Sequence, residues 1–253
     1  DQVILIRGDD WEIDETRLVG IRVPPTLTRI LQARLDGLLS SELVTLQQAS
    51  VVGRVFWDDA VVYLNASGGQ VSSRETTSRA LVGLQAQEVI FPRSHSAFER
   101  ADEYIFKHAL LRDVTYESVL KRLRRVYHGL AARWLIEKSG ERENEYLGLI
   151  AEHLALAEER ESAAAYLHRA GEQAAHRYAN AEALRYLSRA LVLTPPGELA
   201  VRYDLLLQRE RIYGVTGERT AQGQDLAELA ELAEQLDDDR LRAQAAALYA
   251  RFA

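Results

Sequence analysis

The residue with the most chemistry to offer is His108, in the stretch Tyr104-Ile-Phe-Lys-His-Ala-Leu-Leu-Arg-Asp-Val-Thr-Tyr116. The apolar, β-branched start of this stretch reads as a buried strand, and the remainder as an amphipathic helix. The histidine stands at the junction. Backbone N–H groups at a helix start have no partner inside the helix, so such a junction is a natural place to meet an anion. An imidazole there can donate to a phosphate oxygen, and its charge state is easily tuned by its surroundings. The plainer reading is a half-buried histidine bonded to a backbone carbonyl. A second group is Lys121, Arg122, Arg124 and Arg125, a basic run on one helix with Lys107 and Arg112 upstream. It offers phosphate contacts for DNA, a surface that docks an acidic neighbouring module, or simply a solvated helix face.

Other chemistries find little support. His95, His128, His153, His168 and His176 show no metal-ligand spacing with one another, so no metal site is expected. Cysteine is absent, which excludes disulfides and thiolate sites and fits a reducing cytoplasm. Asp237-Asp-Asp239 and Glu158-Glu-Arg-Glu161 lack the alternating ligands of a calcium loop. No G-x-S-x-G elbow and no G-x-x-x-x-G-K-[ST] loop is present. The net charge of −7 speaks against a general nucleic-acid binder. The 253 residues, 47% hydrophobic and 27% charged, fit a soluble globular chain of about two domains. No apolar run approaches the roughly 18 residues that span a bilayer, and no signal peptide is present. Methionine is absent and the first residue is Asp1, which reads as an internal fragment.

The elements that must position these groups fall into three regions. Residues 1–24 read as a small hairpin, with Val3–Ile6 as one strand, Gly8-Asp9-Asp10 as the turn and Trp11–Ile13 as the return. In residues 25–138, Leu27, Ile30, Leu31, Leu35 and Leu38 mark a first helix, and Ser40 or Ser41 starts a second with Leu43, Leu46, Ala49 and Val52. Trp57–Leu64 reads as a third helix and Arg74–Gln87 as a fourth. Val89–Phe91 and Tyr104–Phe106 pair as a two-stranded ribbon. A long helix then runs to about Lys138, with Leu120, Leu123, Tyr127, Leu130 and Trp134 along one side. Residues 139–253 read as helices near 144–158, 161–177, 181–193, 198–213, 220–236 and 239–252, an antiparallel stack. Leu167, Ala170, Gly171, Ala174, Ala183, Leu187, Ala190 and Pro195 match the 34-residue tetratricopeptide pattern once. Tyr178, Tyr186, Tyr203 and Tyr213 either line a concave repeat surface or sit in its core.

Three segments carry a resemblance. They are Val23-Pro-Pro-Thr-Leu-Thr-Arg-Ile-Leu-Gln-Ala-Arg-Leu-Asp36, Leu46-Gln-Gln-Ala-Ser-Val-Val-Gly-Arg-Val-Phe-Trp57 and Tyr104–Val119. Together with the helical repeats they resemble the bacterial STAND-class signalling ATPases, in particular those attached to adenylate or guanylate cyclases and to transcription regulators. In that family a P-loop ATPase comes first, a winged helix follows and a helical-repeat sensor comes last. The resemblance implies that residues 1–24 are the tail of the ATPase module, 25–138 a winged-helix-like domain plus long helix, and 139–253 tetratricopeptide-like repeats. Phe106-Lys-His-Ala-Leu-Leu-Arg-Asp113 is similar to the Met-His-Asp signature of related switch ATPases, whose histidine contacts the β-phosphate of ADP. Only His108 carries over, because the signature's aspartate position is Ala109 here.

The expected fold is mainly α: a winged-helix-like domain and a tetratricopeptide-like α-solenoid, with a small N-terminal β-hairpin and a β-wing. The expected function is a non-catalytic regulatory and protein-interaction segment that couples nucleotide state to effector binding. The fragment itself would hold no cofactor, while ATP or ADP is implied for the parent. Its partners would be the parent's own ATPase domain and a protein or small-molecule effector on the repeats, in the cytoplasm, without nucleic acid or membrane. The alternative is a winged-helix DNA-binding transcriptional regulator, which the basic run would serve.

Overall fold

Apolar and aromatic residues concentrate in short stretches separated by polar turns, and the chain folds accordingly. The computed structural model describes residues 4–7, 10–13, 25–67 and 74–252, and it is mainly helical. Strands β1 (Ile4–Arg7) and β2 (Asp10–Ile13) pair antiparallel, with Ile4 opposite Ile13 and Arg7 opposite Asp10. The expected hairpin is therefore present; its turn at residues 8 and 9 lies outside the described residues.

Helices α1 (Pro25–Asp36) and α2 (Ser40–Val52) follow. Leu31, Leu35 and Leu38 are buried, but Ile30 points to solvent. The buried Glu42 carboxylate accepts the Leu39 N–H at 3.0 Å, which fixes the start of α2. Gly53 ends α2 at φ 158°, and a β-carbon there would stand 2.9 Å from the Val55 carbonyl. Only glycine makes that turn without strain.

The turn delivers a strand that the sequence does not announce, and only its last residue, Trp57, falls in the helix expected there. Val55–Trp57 is β3, and helix α3 (Asp58–Ser67) begins one residue later. After α4 (Arg74–Ala86) come β4 (Ile90–Pro92) and β5 (Glu103–Phe106). The sheet is three-stranded and antiparallel, in the order β3-β5-β4, rather than a two-stranded ribbon. Aromatic burial explains the difference. Phe56 is fully buried and packs 5.6 Å from the rings of both Tyr104 and Phe106. The buried Glu103 carboxylate accepts from Trp57 Nε1 at 3.0 Å, Arg93 at 2.6 Å and the Ala97 N–H at 2.9 Å, joining the β3–β5 pair to the turn between β4 and β5.

The expected long helix is two helices, α5 (Ala109–Ser118) and α6 (Lys121–Ser139). Val119 is extended at the break and buried, which turns Leu120 and Leu123 outward. The face of α6 that meets the core is Tyr127, Ala131, Trp134 and Leu135. Trp134 stacks on Trp57 at 5.3 Å, and Phe98 meets both rings edge-on.

A 3-10 turn (Gly140–Glu145) precedes α7 (Leu147–Leu156), where the sequence reading had one helix from 144. Then come α8 (Arg160–His176), α9 (Asn180–Leu193), α10 (Leu199–Thr216), α11 (Arg219–Leu236) and α12 (Asp239–Phe252), each packed on the one before. Four of these helix ends share one device. Glu158, Tyr178, Gly217 and Asp237 have φ of 62°, 60°, 79° and 51° after α7, α8, α10 and α11. At three of them the next N–H reaches back across the turn: Glu159 to Leu154, Ala179 to Ala174 and Glu218 to Tyr213. This is the left-handed cap that reverses a chain in two residues.

One apolar cluster runs from Leu31 to Ala163, with Ile150 and Leu154 of α7 in it, so the core does not stop at residue 138. A second joins α7 to α10, from Ala151 to Ile212, and a third joins α10 to α12, from Tyr203 to Leu248.

Small residues set the helix separation. A β-carbon on Gly171 of α8 would lie 2.7 Å from the Leu187 side chain of α9. Gly171→Val should therefore lower unfolding stability by about 1–3 kcal/mol in denaturant titrations, and a neutral result would show that the two helices are not in close contact. Tyr178 is 89% exposed in a left-handed conformation. Tyr178→Gly should raise stability by up to about 1 kcal/mol, because it relieves the backbone and removes no buried contact.

Candidate functional site

The groups of interest stand at the two ends of α5, His108 at its start and the basic run just past its end at the α5–α6 corner. The chain leaves β5 at Phe106, passes Lys107 and reaches His108 in an extended conformation, φ −130° and ψ 133°, directly before α5. The His108 carbonyl accepts the N–H groups of Leu111 and Arg112 at 3.1 and 3.3 Å. Its imidazole is exposed, and no side chain caps the helix start. The strand-to-helix junction anticipated for this histidine is thus present, and the half-buried alternative is not. Lys107 is held by Glu88.

Arg112 turns inward. Its Nε donates to the Ser50 carbonyl at 2.8 Å, and its guanidinium lies 4.7 Å from the centre of the Tyr116 ring. Arg124 of α6 takes a similar position, 4.8 Å from the same ring, with its Nε on the Val119 carbonyl at 3.0 Å. The basic run is therefore divided. Arg124 holds the corner together, and Arg125 is paired with Glu158 at 2.9 Å. Lys121 and Arg122 are exposed. Arg122, Arg125 and Arg133, with Val126 and Gly129 between them, line an open groove of about 450 Å³ closed on one side by Ala157 and Glu159.

Behind Tyr116 runs a buried polar chain. The Tyr116 hydroxyl is 2.9 Å from His128 Nε2, and His128 Nδ1 is 2.9 Å from His153 Nδ1. Two tautomer assignments satisfy both contacts, and the Val52 carbonyl beside His153, which needs a donor, selects one. Tyr116 donates to His128 Nε2, and the Nδ1–H of His128 donates to His153 Nδ1. That leaves a proton on His153 Nε2, which faces the Val52 carbonyl in a contact too poor to count as a full hydrogen bond. The two histidines connect α6 and α7 with each other and, through Tyr116 and Val52, with α5 and α2. Burial, and next the neighbouring His153, push the His128 pKa down to about 3. Burial pushes that of His153 down to about 4, against a smaller upward pull from Glu152.

On the sheet side of α6, Asp59 accepts from Lys138 at 2.8 Å and from Trp134 Nε1 at 3.3 Å, and it pairs with Arg74. Burial raises this carboxyl, but the bonds from Lys138, Arg74 and Trp134 outweigh it and hold the pKa below the usual range. The four groups that α4 and its end could turn toward a DNA base, Arg74, Arg79, Gln85 and Gln87, are all occupied, Gln85 by the Tyr104 hydroxyl. Arg74 pairs with Asp59, Arg79 with Glu75, and Gln87 donates to Glu42.

The sequence singled out His108 and the basic run, and the structure places them at opposite ends of α5. It missed Tyr116, His128 and His153, whose contacts cross three helices. Part of the signal was visible, because Arg112 and Tyr116 are one helical turn apart. The pairing of His128 with His153, across a 3-10 turn, had no local signature. Tyr203 and Tyr213, left open between groove and core, are buried, while Tyr178 is exposed. No helix among the described residues is long and apolar enough to cross a membrane. No family model matches the chain, and neither any curated protein nor any solved structure matches it.

The histidine pair makes stability depend on pH. Both groups are neutral in the fold and bind protons near pH 6.5 once unfolded. Their contribution is full above about pH 6.5 and is lost as pH falls toward 4. At pH 5.5 the loss should be about 2 kcal/mol relative to pH 7. His128→Gln/His153→Gln should flatten that slope in denaturant titrations at each pH, and an unchanged slope would assign it to other groups.

Proposed function

We propose that the chain is a non-catalytic regulatory and protein-interaction segment of a signalling ATPase, coupling the nucleotide state of a neighbouring domain to partner binding on its helices. The observation that carries this reading is the continuous core from Leu31 to Ala163. It makes the sheet-bearing module and the first helices of the following stack one solid piece, so a displacement at His108 is transmitted to α7 and α8 rather than absorbed at a joint.

Two further features support the parts of the reading. The order α2, β3, α3, α4, β4, β5, with the sheet arranged β3-β5-β4, is the order of a winged-helix module. The helix pairs that cross at Gly171, Ala174, Ala183, Leu187 and Ala190, with Pro195 after α9, are what tetratricopeptide-like repeats would use. ATP or ADP belongs to the parent's nucleotide domain. This chain offers it an exposed imidazole beside an uncapped helix start, a combination suited to a phosphate oxygen. Lys121, Arg122 and the adjoining groove would dock the acidic side of a neighbouring module.

The test uses the parent protein with its nucleotide domain. His108→Ala should weaken ADP binding about tenfold or more, the worth of one hydrogen bond to a charged group. Melting should stay unchanged, because the side chain is exposed. Unaltered ADP affinity would overturn the sensor role. Duplex DNA at low salt separates the alternative regulator, which requires salt-sensitive binding by this chain.

A further inference from the structure

Two helices that are not neighbours in sequence bring four metal-binding side-chain types to one point. His168 and Glu172 lie one turn apart on α8, and Asp204 and Gln208 lie one turn apart on α10. His168 Nε2 is 3.1 Å from Asp204 Oδ2 and 3.8 Å from Glu172 Oε1. One ligand atom from each of the three residues lies within 4.8 Å of the others. Ligand atoms held at the usual zinc distances in a tetrahedron stand about 3.3 Å apart. The observed separations need only small side-chain rotations to reach that spacing.

The centre of the cluster is occupied by an amide nitrogen. Gln208 Nε2 is 2.7 Å from His168 Nε2, 3.1 Å from Glu172 Oε1 and 3.0 Å from Asp204 Oδ2. An amide nitrogen carries two hydrogens, yet with the His168 ring proton on Nδ1 three acceptors converge on it. The position is one that a cation would fill better. A divalent ion would satisfy all three lone pairs at once, and a half-turn of the Gln208 amide would bring its carbonyl oxygen in as a fourth ligand. The His168 side chain is only 21% exposed, so its ring is held in place; those of Glu172 and Asp204 are about half exposed, at 47% and 51%, and leave an entry path.

We propose that His168, Glu172, Asp204 and Gln208 form a binding site for a divalent transition metal. An imidazole with two carboxylates and an amide oxygen favours zinc over magnesium or calcium, which prefer all-oxygen cages of higher coordination. The ion fastens α8 to α10. These helices belong to successive pairs that already share the apolar cluster running from α7 to α10. Metal occupancy would add a polar tie to that seam and tighten the angle between the α8–α9 and α10–α11 pairs. The inference is independent of the nucleotide reading.

The experiment is a calorimetric titration of the chain with zinc, with cobalt(II) as a spectroscopic probe. The expected result is one equivalent bound at micromolar affinity, a tetrahedral cobalt absorption band and a higher melting temperature with metal. Glu172→Gln and Asp204→Asn keep side-chain shape at exposed positions. Each should weaken zinc at least tenfold while leaving the metal-free circular dichroism spectrum unchanged. Gln208→Glu should tighten binding by supplying a charged oxygen. The proposal is overturned by the absence of saturable binding below millimolar zinc, by equal affinity in both carboxylate variants, or by a stronger response to magnesium or calcium than to zinc.

Discussion

The core that runs from Leu31 to Ala163 depends on α6 having two buried faces. One face carries Trp134, stacked on Trp57 of the sheet and bonded to Asp59. The other carries His128, which meets His153 of α7. The helix is thus a shared wall between the sheet module and the helical stack. Burial of Trp134 is the larger of the two contributions, since truncating a fully buried tryptophan costs about 3–5 kcal/mol. The histidine contact is weaker and conditional on protonation, but it sets where α7 sits. Neither module has a complete core without that wall.

Much of the architecture was legible because helical periodicity survives in most of the segments. The last five helices fall within about three residues of their expected limits. Their separators were harder to read, because only one of the four left-handed caps is a glycine. Glutamate and tyrosine occupy two of the others, and nothing in those residue types announces a positive φ; the aspartate at the fourth is a type that favours it only modestly. Strand β3 was missed for a different reason. Three residues are too few for alternation to show, and Val55, Phe56 and Trp57 become a strand only because Tyr104 and Phe106 wait opposite them. The break at Val119 was hidden by Leu120 and Leu123, whose spacing continues an apolar stripe that the structure leaves in solvent.

The site was legible as composition and illegible as geometry. His108 was visible because strand and helix signals meet at it. The division of labour within Lys121–Arg125 was not, because it depends on where Tyr116 and Glu158 lie. Arg124 belongs to the interior of the corner although its neighbours belong to the surface. The metal-type cluster escaped for a similar reason. Histidine was compared with histidine along the chain, whereas the partners of His168 are a carboxylate one turn away and two side chains on α10. Only the stacking of alternate helices brings them together.

The core that runs past residue 138 has a consequence for synthesis on the ribosome. When α6 has emerged, Trp134 can already reach Trp57, but Ile150 and Leu154 of α7 and Ala163 of α8 are still missing from the cluster they complete. The nascent sheet module must therefore wait, with apolar surface uncovered, until roughly two dozen more residues have cleared the exit tunnel. A chain cut for expression at the boundary between its two halves would be arrested in that same unfinished state, and the useful place to cut lies beyond α8.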